Sequence, residues 1–207
     1  RYVKDFLSKI KIYIINCKNR DDRWNKIKKK FEQLGITNYE RFIACQPTLD
    51  ECKKNKITNI YKYWKFTNLD DINNVKYVIG ASGCKLSHYN LLKHIKQNDN
   101  NEYSIILEDD CYLSDDFFKN LFISLEKIQN KYFNILYLAC SLHSSQSYEV
   151  YNENLLKCRK GSGHQTHGML FKNKNLDYII NFVENSENEI DNVYVTLENR
   201  YVVFPMI

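Results

Sequence analysis

The chain has 207 residues, of which 43% are hydrophobic and 14% aromatic, so it can bury the core of one α/β domain and is not intrinsically disordered. Its net charge of +5 is too small to indicate nucleic-acid binding, although it suits a small anionic substrate. No apolar stretch is long enough to span a bilayer. The first residue is Arg1, not Met, so we expect the natural start to lie upstream.

The cysteines point to a reducing environment. Seven of them are scattered along the chain without a C-x-x-C pair, which argues against a zinc ribbon and against a disulfide framework. The sequence also lacks any Asn-x-Ser/Thr glycosylation acceptor. Both features favour a cytoplasmic location.

The first elements follow an alternating strand and helix pattern. A strand is predicted at Ile10–Ile15, and an amphipathic helix opens at Arg20 and stops at Gly35. Tyr39–Ala44 reads as a second strand.

A polar stretch at 46–78 is expected to form a loop-rich excursion from a single domain that covers residues 1–207. Aromatic residues at Tyr61, Tyr63, Trp64 and Phe66 are expected to tuck under it, either as ordinary core or as faces on which a sugar could stack. The small residues from Gly80 then open a helix that runs to about Gln97. The free N–H groups of such a helix start form either an anion site or a point of close packing.

The central stretch is the apolar run Tyr103–Leu107, followed directly by Glu108, Asp109 and Asp110. The run is typical of a strand buried on both faces of a sheet. Ligands of open α/β sheets bind beyond the carboxyl ends of the strands. Because acids two residues apart in an extended segment share a side, Glu108 and Asp110 are predicted to hold Mn²⁺ or Mg²⁺, with Asp109 facing the other way.

The second half continues the alternation. Ser114 is predicted to cap a helix whose first turn carries Asp115 and Asp116, so these two acids are assigned to capping rather than to metal binding. The remaining predicted elements are strands at Asn134–Ala139, within 141–160, at Met169–Phe171 and at Arg200–Phe204, and helices near 174–184 and 189–198. The pattern predicts an α/β fold with a mostly parallel sheet flanked by helices.

Three motifs in register resemble glycosyltransferase family 25, which includes lipopolysaccharide-type hexosyltransferases and procollagen galactosyltransferases. Ile14–Arg23 resembles the family's opening "INL-x-x-R-x-D-R", Gly83–His88 its "GC-x-LSH", and Ile105–Asp110 its "LILEDD". The likeness runs from about residue 10 to the end of the chain. It implies a Rossmann-like GT-A fold, a UDP-sugar donor, a Mn²⁺-type cation, and inverting transfer to a hydroxyl of a glycan or of hydroxylysine.

The resemblance also assigns roles. It places Asn16, Arg20 and Arg23 on the nucleotide side, where Arg suits diphosphate or base contacts, and it places Ser87 and His88 near the donor. Alternatively, Arg23 is an ordinary surface charge at the start of a helix. His88 is alternatively a core histidine that hydrogen-bonds to the backbone.

The same resemblance implies that Asp110 is the foremost metal ligand and that Asp109 binds the ribose. It also implies that Asp191 is the catalytic base or binds the acceptor. His164 or His167 is a candidate third metal ligand. Two positions depart from the family pattern, because Glu189 replaces a proline and Ala81 replaces a glutamate. A non-catalytic relative that binds a glycan or a partner, and a Mg²⁺-dependent phosphohydrolase, are the alternatives.

Overall fold

The computed structural model describes residues 9–60 and 68–207, and within these ranges the strands form one eight-stranded sheet. The strands are Ile10–Asn16 (β1), Tyr39–Ile43 (β2), Tyr103–Glu108 (β3), Ile135–Ser141 (β4), Tyr148–Asn152 (β5), Leu155–Cys158 (β6), His164–Lys172 (β7) and Arg200–Val203 (β8). Their spatial order is β2-β1-β3-β7-β4-β8-β6-β5.

Helices cover both faces of this sheet. The α-helices are Asp21–Leu34 (α1), Leu49–Lys54 (α2), Ile72–Asn98 (α3), Phe117–Ile128 (α4), Leu176–Glu184 (α5) and Ile190–Tyr194 (α6), with short 3-10 turns at Ser145–Ser147 and Asn173–Asn175. No helix in the described ranges combines the length and the apolar character that crossing a membrane would need.

The α/β fold with a GT-A-like, Rossmann-like sheet is confirmed, but the sheet is mixed rather than mostly parallel. β1 pairs in parallel with β2 and β3, and β4 with β8, whereas β7 runs antiparallel between β3 and β4. The edge hairpin of β5 and β6 is antiparallel too, because a connection as short as Glu153 and Asn154 cannot join parallel neighbours. An apolar run indicates that a strand is buried, but it does not indicate whether the strand runs parallel or antiparallel to its neighbours.

The strand β3 divides the core. Ile106 faces the cluster under α3, α5 and α6, while Ile105 and Leu107 face the cluster under α1 and α4. All three side chains are almost fully buried, as the uninterrupted apolar run predicts. The sheet therefore holds the end of β3, and the acids that follow it, in a fixed place.

The helix that was predicted to open at Gly80 begins at Ile72 instead. The side chain of Asp71 caps it by accepting a hydrogen bond from the Asn73 backbone N–H at 2.8 Å. The segment from Gly80 to His88 is thus helix interior, and its N–H groups are not a free anion site. The stretch 46–78, expected to be loop-rich, contains α2 and the first turns of α3, while the predicted aromatic group at 61–66 lies outside the described residues.

The predicted cap at Ser114 is also wrong. Helix α4 begins at Phe117, and the buried Ser114 hydroxyl has no hydrogen-bond partner among the described residues. Asp115 pairs with Lys30 at 2.5 Å and is 92% exposed, so it contributes to a surface ion pair rather than to the first turn of a helix. Leu113, between the acids and α4, is buried.

Candidate functional site

Two of the three acids after β3 point to the same side and meet a histidine. His167 Nδ1 lies 3.0 Å from Asp110 Oδ1 and 3.3 Å from Glu108 Oε2. The register of the sheet brings them together, because Leu107 on β3 pairs with Gly168 on β7 and thereby sets His167 beside the strand end. Of the two histidines predicted as a third ligand, the structure brings His167 to the acids, whereas His164 contacts the Gly161 carbonyl oxygen.

This trio is strongly coupled electrostatically. The hydrogen bond to Asp110, followed by that to Glu108, raises the pKa of His167 to about 10. The hydrogen bond from His167 lowers the pKa of Asp110. Burial tends to raise the pKa of Glu108, but hydrogen bonds from His167 and His88 outweigh burial and hold it well below its usual range. Without a cation, the two carboxylates are therefore ionised and a protonated imidazole balances part of their charge.

The other oxygen of Glu108 faces helix α3. His88 Nε2 lies 3.2 Å from Oε1, the Cys84 thiol donates to it at 3.6 Å, and the Thr166 hydroxyl donates to it at 2.6 Å. Cys84 and His88 are four residues apart on one helix and so share a face. His88 is fully buried, and its Nδ1 lies 3.4 Å from the Tyr194 hydroxyl, so His88 makes side-chain rather than backbone contacts.

Asp109 turns to the opposite side, as the spacing predicts. It accepts hydrogen bonds from Asn16 Nδ2 at 2.6 Å and from an Arg23 guanidinium nitrogen at 2.7 Å. Asn16 is itself almost fully buried, and its side-chain oxygen accepts from Arg41 at 2.8 Å. The end of β3 is thus tied to the end of β1 and to the first turn of α1.

Arg20, assigned to the nucleotide side, and Ser87, assigned to the surroundings of the donor, make their hydrogen bonds within the protein. The Arg20 guanidinium forms two hydrogen bonds of 2.8 Å with the exposed carboxylate of Asp22. The Ser87 hydroxyl accepts from the Cys45 backbone N–H at 2.8 Å and donates to the Gly83 carbonyl at 2.6 Å, so it fastens the segment after β2 to α3. Ser87 lines the wall of a cleft, but its hydroxyl group already makes two hydrogen bonds within the protein.

Two clefts meet at Glu108. One, of about 420 Å³, is lined among others by Cys17, Lys76, Ser87, Asp109 and Asp110. The other, of about 410 Å³, is lined among others by Tyr77, Thr166, His167, Glu189 and Asp191. Gly80 and Cys84 belong to both clefts, as does Glu108.

Asp191 lies in the second cleft together with a neighbouring acid that the sequence interpretation did not select. Burial raises the pKa of Glu189, the hydrogen bond that Glu189 accepts from Tyr77 at 3.1 Å lowers it, and the charge of Asp191 raises it further. The Asp191 carboxylate accepts a short-range hydrogen bond from the Asn192 backbone N–H. The only feature of the sequence that pointed to Glu189 is that it stands where the family pattern has a proline. Nothing in the sequence pointed to Thr166, because its contact with Glu108 depends on how β7 pairs with β3.

The trio fits a hard divalent cation. One ligand atom from each of Glu108, Asp110 and His167 can be chosen so that all of them lie within 4.8 Å of one another. Carboxylate oxygens are the ligands that Mg²⁺ and Mn²⁺ prefer, and an imidazole nitrogen is compatible with a transition metal such as Mn²⁺. The cation would displace the proton that His167 shares with the carboxylates.

Comparisons with known proteins show which family the chain belongs to. A family model described as "Glycosyltransferase family 25 (LPS biosynthesis protein)" matches residues 9–194. A protein of Acanthamoeba polyphaga mimivirus, whose name reads "Putative glycosyltransferase", is 31% identical over 116 residues. That match covers 56% of this chain and 33% of the viral protein, so it spans about a third of that relative.

Proposed function

The chain belongs to glycosyltransferase family 25, and we propose that it is a glycosyltransferase that transfers a hexose, galactose or glucose, from a UDP-sugar to an acceptor hydroxyl with the help of Mn²⁺ or Mg²⁺. The observation that carries this proposal is the position of Glu108 between two clefts. A donor in one cleft and an acceptor in the other would meet at the acids that follow β3.

We assign the cation to Glu108, Asp110 and His167. A divalent cation held by these residues would offset the charge that develops on the leaving diphosphate. The chain's own residues hold the ligands in place: Thr166 and His88 fix one oxygen of Glu108, and the β3 and β7 register fixes His167. Such support is what keeps metal-ligand geometry precise.

The cleft with Lys76, Asp109 and Cys17 is the proposed donor side. Asp109 accepts hydrogen bonds through both oxygens from Asn16 and Arg23, so its orientation is set before a donor arrives. A carboxylate retains free lone pairs after two such bonds and can accept a third from a ribose hydroxyl. Lys76 supplies a positive charge to the same cleft and suits a diphosphate.

The cleft with Asp191 and Glu189 is the proposed acceptor side. Inverting transfer requires a base that takes the proton of the attacking hydroxyl. Asp191 is our candidate for this base, since its carboxylate faces the cleft that also contains His167, and its bond to the Asn192 N–H leaves acceptor capacity. Acceptors with sugar hydroxyls or a hydroxylysine side chain both suit a cleft of about 410 Å³.

The proposal is tested with a panel of UDP-sugars, each incubated with Mn²⁺ and either a short glycan or a hydroxylysine-containing peptide. We expect one UDP-hexose to release UDP in step with a mass gain of one hexose on the acceptor. Release of phosphate or UMP without a glycosylated product would indicate a phosphohydrolase instead. Failure to bind UDP in calorimetry, with and without Mn²⁺, would indicate a non-catalytic relative.

A further inference from the structure

A second group of ligand atoms lies behind the proposed catalytic cation. Cys84, His88 and Glu108 each offer one potential ligand atom, and these three atoms lie within 4.8 Å of one another. Glu108 uses Oε1 on this side and Oε2 on the side of His167. One carboxylate therefore faces two distinct clusters.

From this geometry we infer that Cys84, His88 and Glu108 form an inner site for a soft divalent cation of the Zn²⁺ class. A tetrahedral Zn²⁺ with bonds of about 2.3 Å to sulfur and about 2.0 Å to nitrogen and oxygen separates its S and O ligands by about 3.5 Å, and its N and O ligands by about 3.3 Å. The corresponding distances are 3.6 Å for Cys84 Sγ to Glu108 Oε1 and 3.2 Å for His88 Nε2 to the same oxygen.

The surroundings orient these ligands for a cation. Cation binding would move the His88 proton from Nε2, where it is donated to Glu108, to Nδ1, where the buried Tyr194 hydroxyl lies 3.4 Å away and can accept it. Thr166 donates to Glu108 Oε1 at 2.6 Å and occupies one lone pair, while the other remains for the cation. Cys84 lines both clefts, which gives a cation a path to the site.

Charge also favours occupation. A divalent cation would offset the charge of Glu108 and of the thiolate that forms when Cys84 gives up its proton, in a region where His88 is fully buried. Binding forms the sulfur–metal bond and breaks the sulfur–hydrogen bond, and the thiol proton leaves to solvent. Sulfur and imidazole ligands select Zn²⁺ over Mg²⁺ here, whereas the outer trio of Glu108, Asp110 and His167 offers two carboxylates.

The first test adds Co²⁺ to the metal-free protein and records the thiolate-to-cobalt absorption band. We expect the band in the wild type, its loss when Zn²⁺ is added, and its loss in Cys84→Ser and Cys84→Ala. The matched control is Cys17→Ser, which alters another thiol of the same cleft and should keep the band. Asp110→Asn should keep it too. No band in the wild type, or a band that survives both changes at Cys84, would overturn the inference.

A second test needs no variant and so does not depend on folding of a mutant. The protein is alkylated with iodoacetamide with and without Zn²⁺, and the peptides are quantified by mass spectrometry. Zn²⁺ should protect Cys84 and leave labelling of Cys17 unchanged, and Mg²⁺ should protect neither. Equal labelling of Cys84 with and without Zn²⁺ would contradict the inner site. Neither test uses a sugar donor, so their failure is distinguishable from failure of the transferase proposal.

Discussion

Arg23 donates a hydrogen bond of 2.7 Å to Asp109, and this pair ties the first turn of α1 to the acids at the end of β3. The Asp109 side chain is only 10% exposed, whereas that of Arg23 is 36% exposed. Asn16 and Arg23 therefore supply the hydrogen bonds that the two oxygens of this nearly buried side chain accept.

Arg23→Ala should lower the free energy of unfolding by about 1–2 kcal/mol, because it leaves a poorly hydrated carboxylate with one partner fewer. It should also raise the KM for the UDP-sugar, since Asp109 lines the proposed donor cleft. Urea unfolding and steady-state kinetics measure the two effects. The control is Arg20→Ala, whose partner Asp22 is exposed and whose loss should change stability less. Equal effects of the two changes would contradict a special role for Arg23.

Two glycines of α3 should respond to alanine in opposite directions. A Cβ on Gly83 would lie 2.7 Å from the Cys45 carbonyl oxygen and 3.2 Å from a ring carbon of Pro47, whereas a Cβ on Gly80 would meet no atom within 4 Å. Gly83→Ala should cost about 1–3 kcal/mol, because backbone must move to admit the methyl group. Gly80→Ala should stabilise the helix by about 0.5–1 kcal/mol. Chemical denaturation of both variants checks the sign of each change.

The free energy of unfolding of the metal-free protein should depend on pH through the titration of His167. Its pKa rises from an ordinary 6.5 to about 10 in the folded chain, so its contribution is complete below about 6.5 and is lost as the pH rises through about 10. The difference in unfolding free energy between wild type and His167→Gln should therefore be constant in mild acid and shrink across that window. A difference that stayed level from neutral to alkaline pH would show that His167 is not bonded to the two carboxylates.

Asp191→Asn should lower kcat by about 10²–10⁴-fold, the usual contribution of a positioned general base. Binding of Mn²⁺ and of UDP should persist, because Asp191 is not one of the proposed metal ligands and does not line the proposed donor cleft. Glu189→Gln is the matched comparison, and its effect should be smaller since Tyr77 already holds that carboxylate. A larger loss in Glu189→Gln would move the role of base to Glu189.

The sequence was informative where one local pattern decides the structure. Three successive apolar residues at Ile105, Ile106 and Leu107 can only be accommodated with burial on both faces, so the position of β3 and the acids at its end followed directly. Asp109 contacts Asn16 while Asp110 contacts His167, so the two side chains diverge as predicted, although both residues lie in the turn after β3 rather than in an extended segment. Gly35, with φ of 68°, ended α1 where expected.

The sequence was uninformative where distant segments meet. His167 reaches Asp110 across 57 positions, and only the antiparallel register of β7 on β3 selects it over His164. The sequence does not indicate that α3 begins as early as Ile72, because Ile72–Ile79 is partly polar and has no continuous apolar face. Asp71 therefore does not stand out as a helix cap in the sequence. The small residues after Gly80 serve close packing instead, as the contact of Gly83 with Cys45 shows.

The central claim is that Asp110 helps to hold the divalent cation on which sugar transfer depends, and Asp110→Asn tests it most directly when Mn²⁺ binding and UDP release are measured on the same sample. The matched control is Asp115→Asn, which changes an exposed acid five residues along that pairs with Lys30. The account predicts that Asp110→Asn loses both Mn²⁺ binding and UDP release while Asp115→Asn keeps both. Mn²⁺-dependent transfer that persisted undiminished in Asp110→Asn would contradict it.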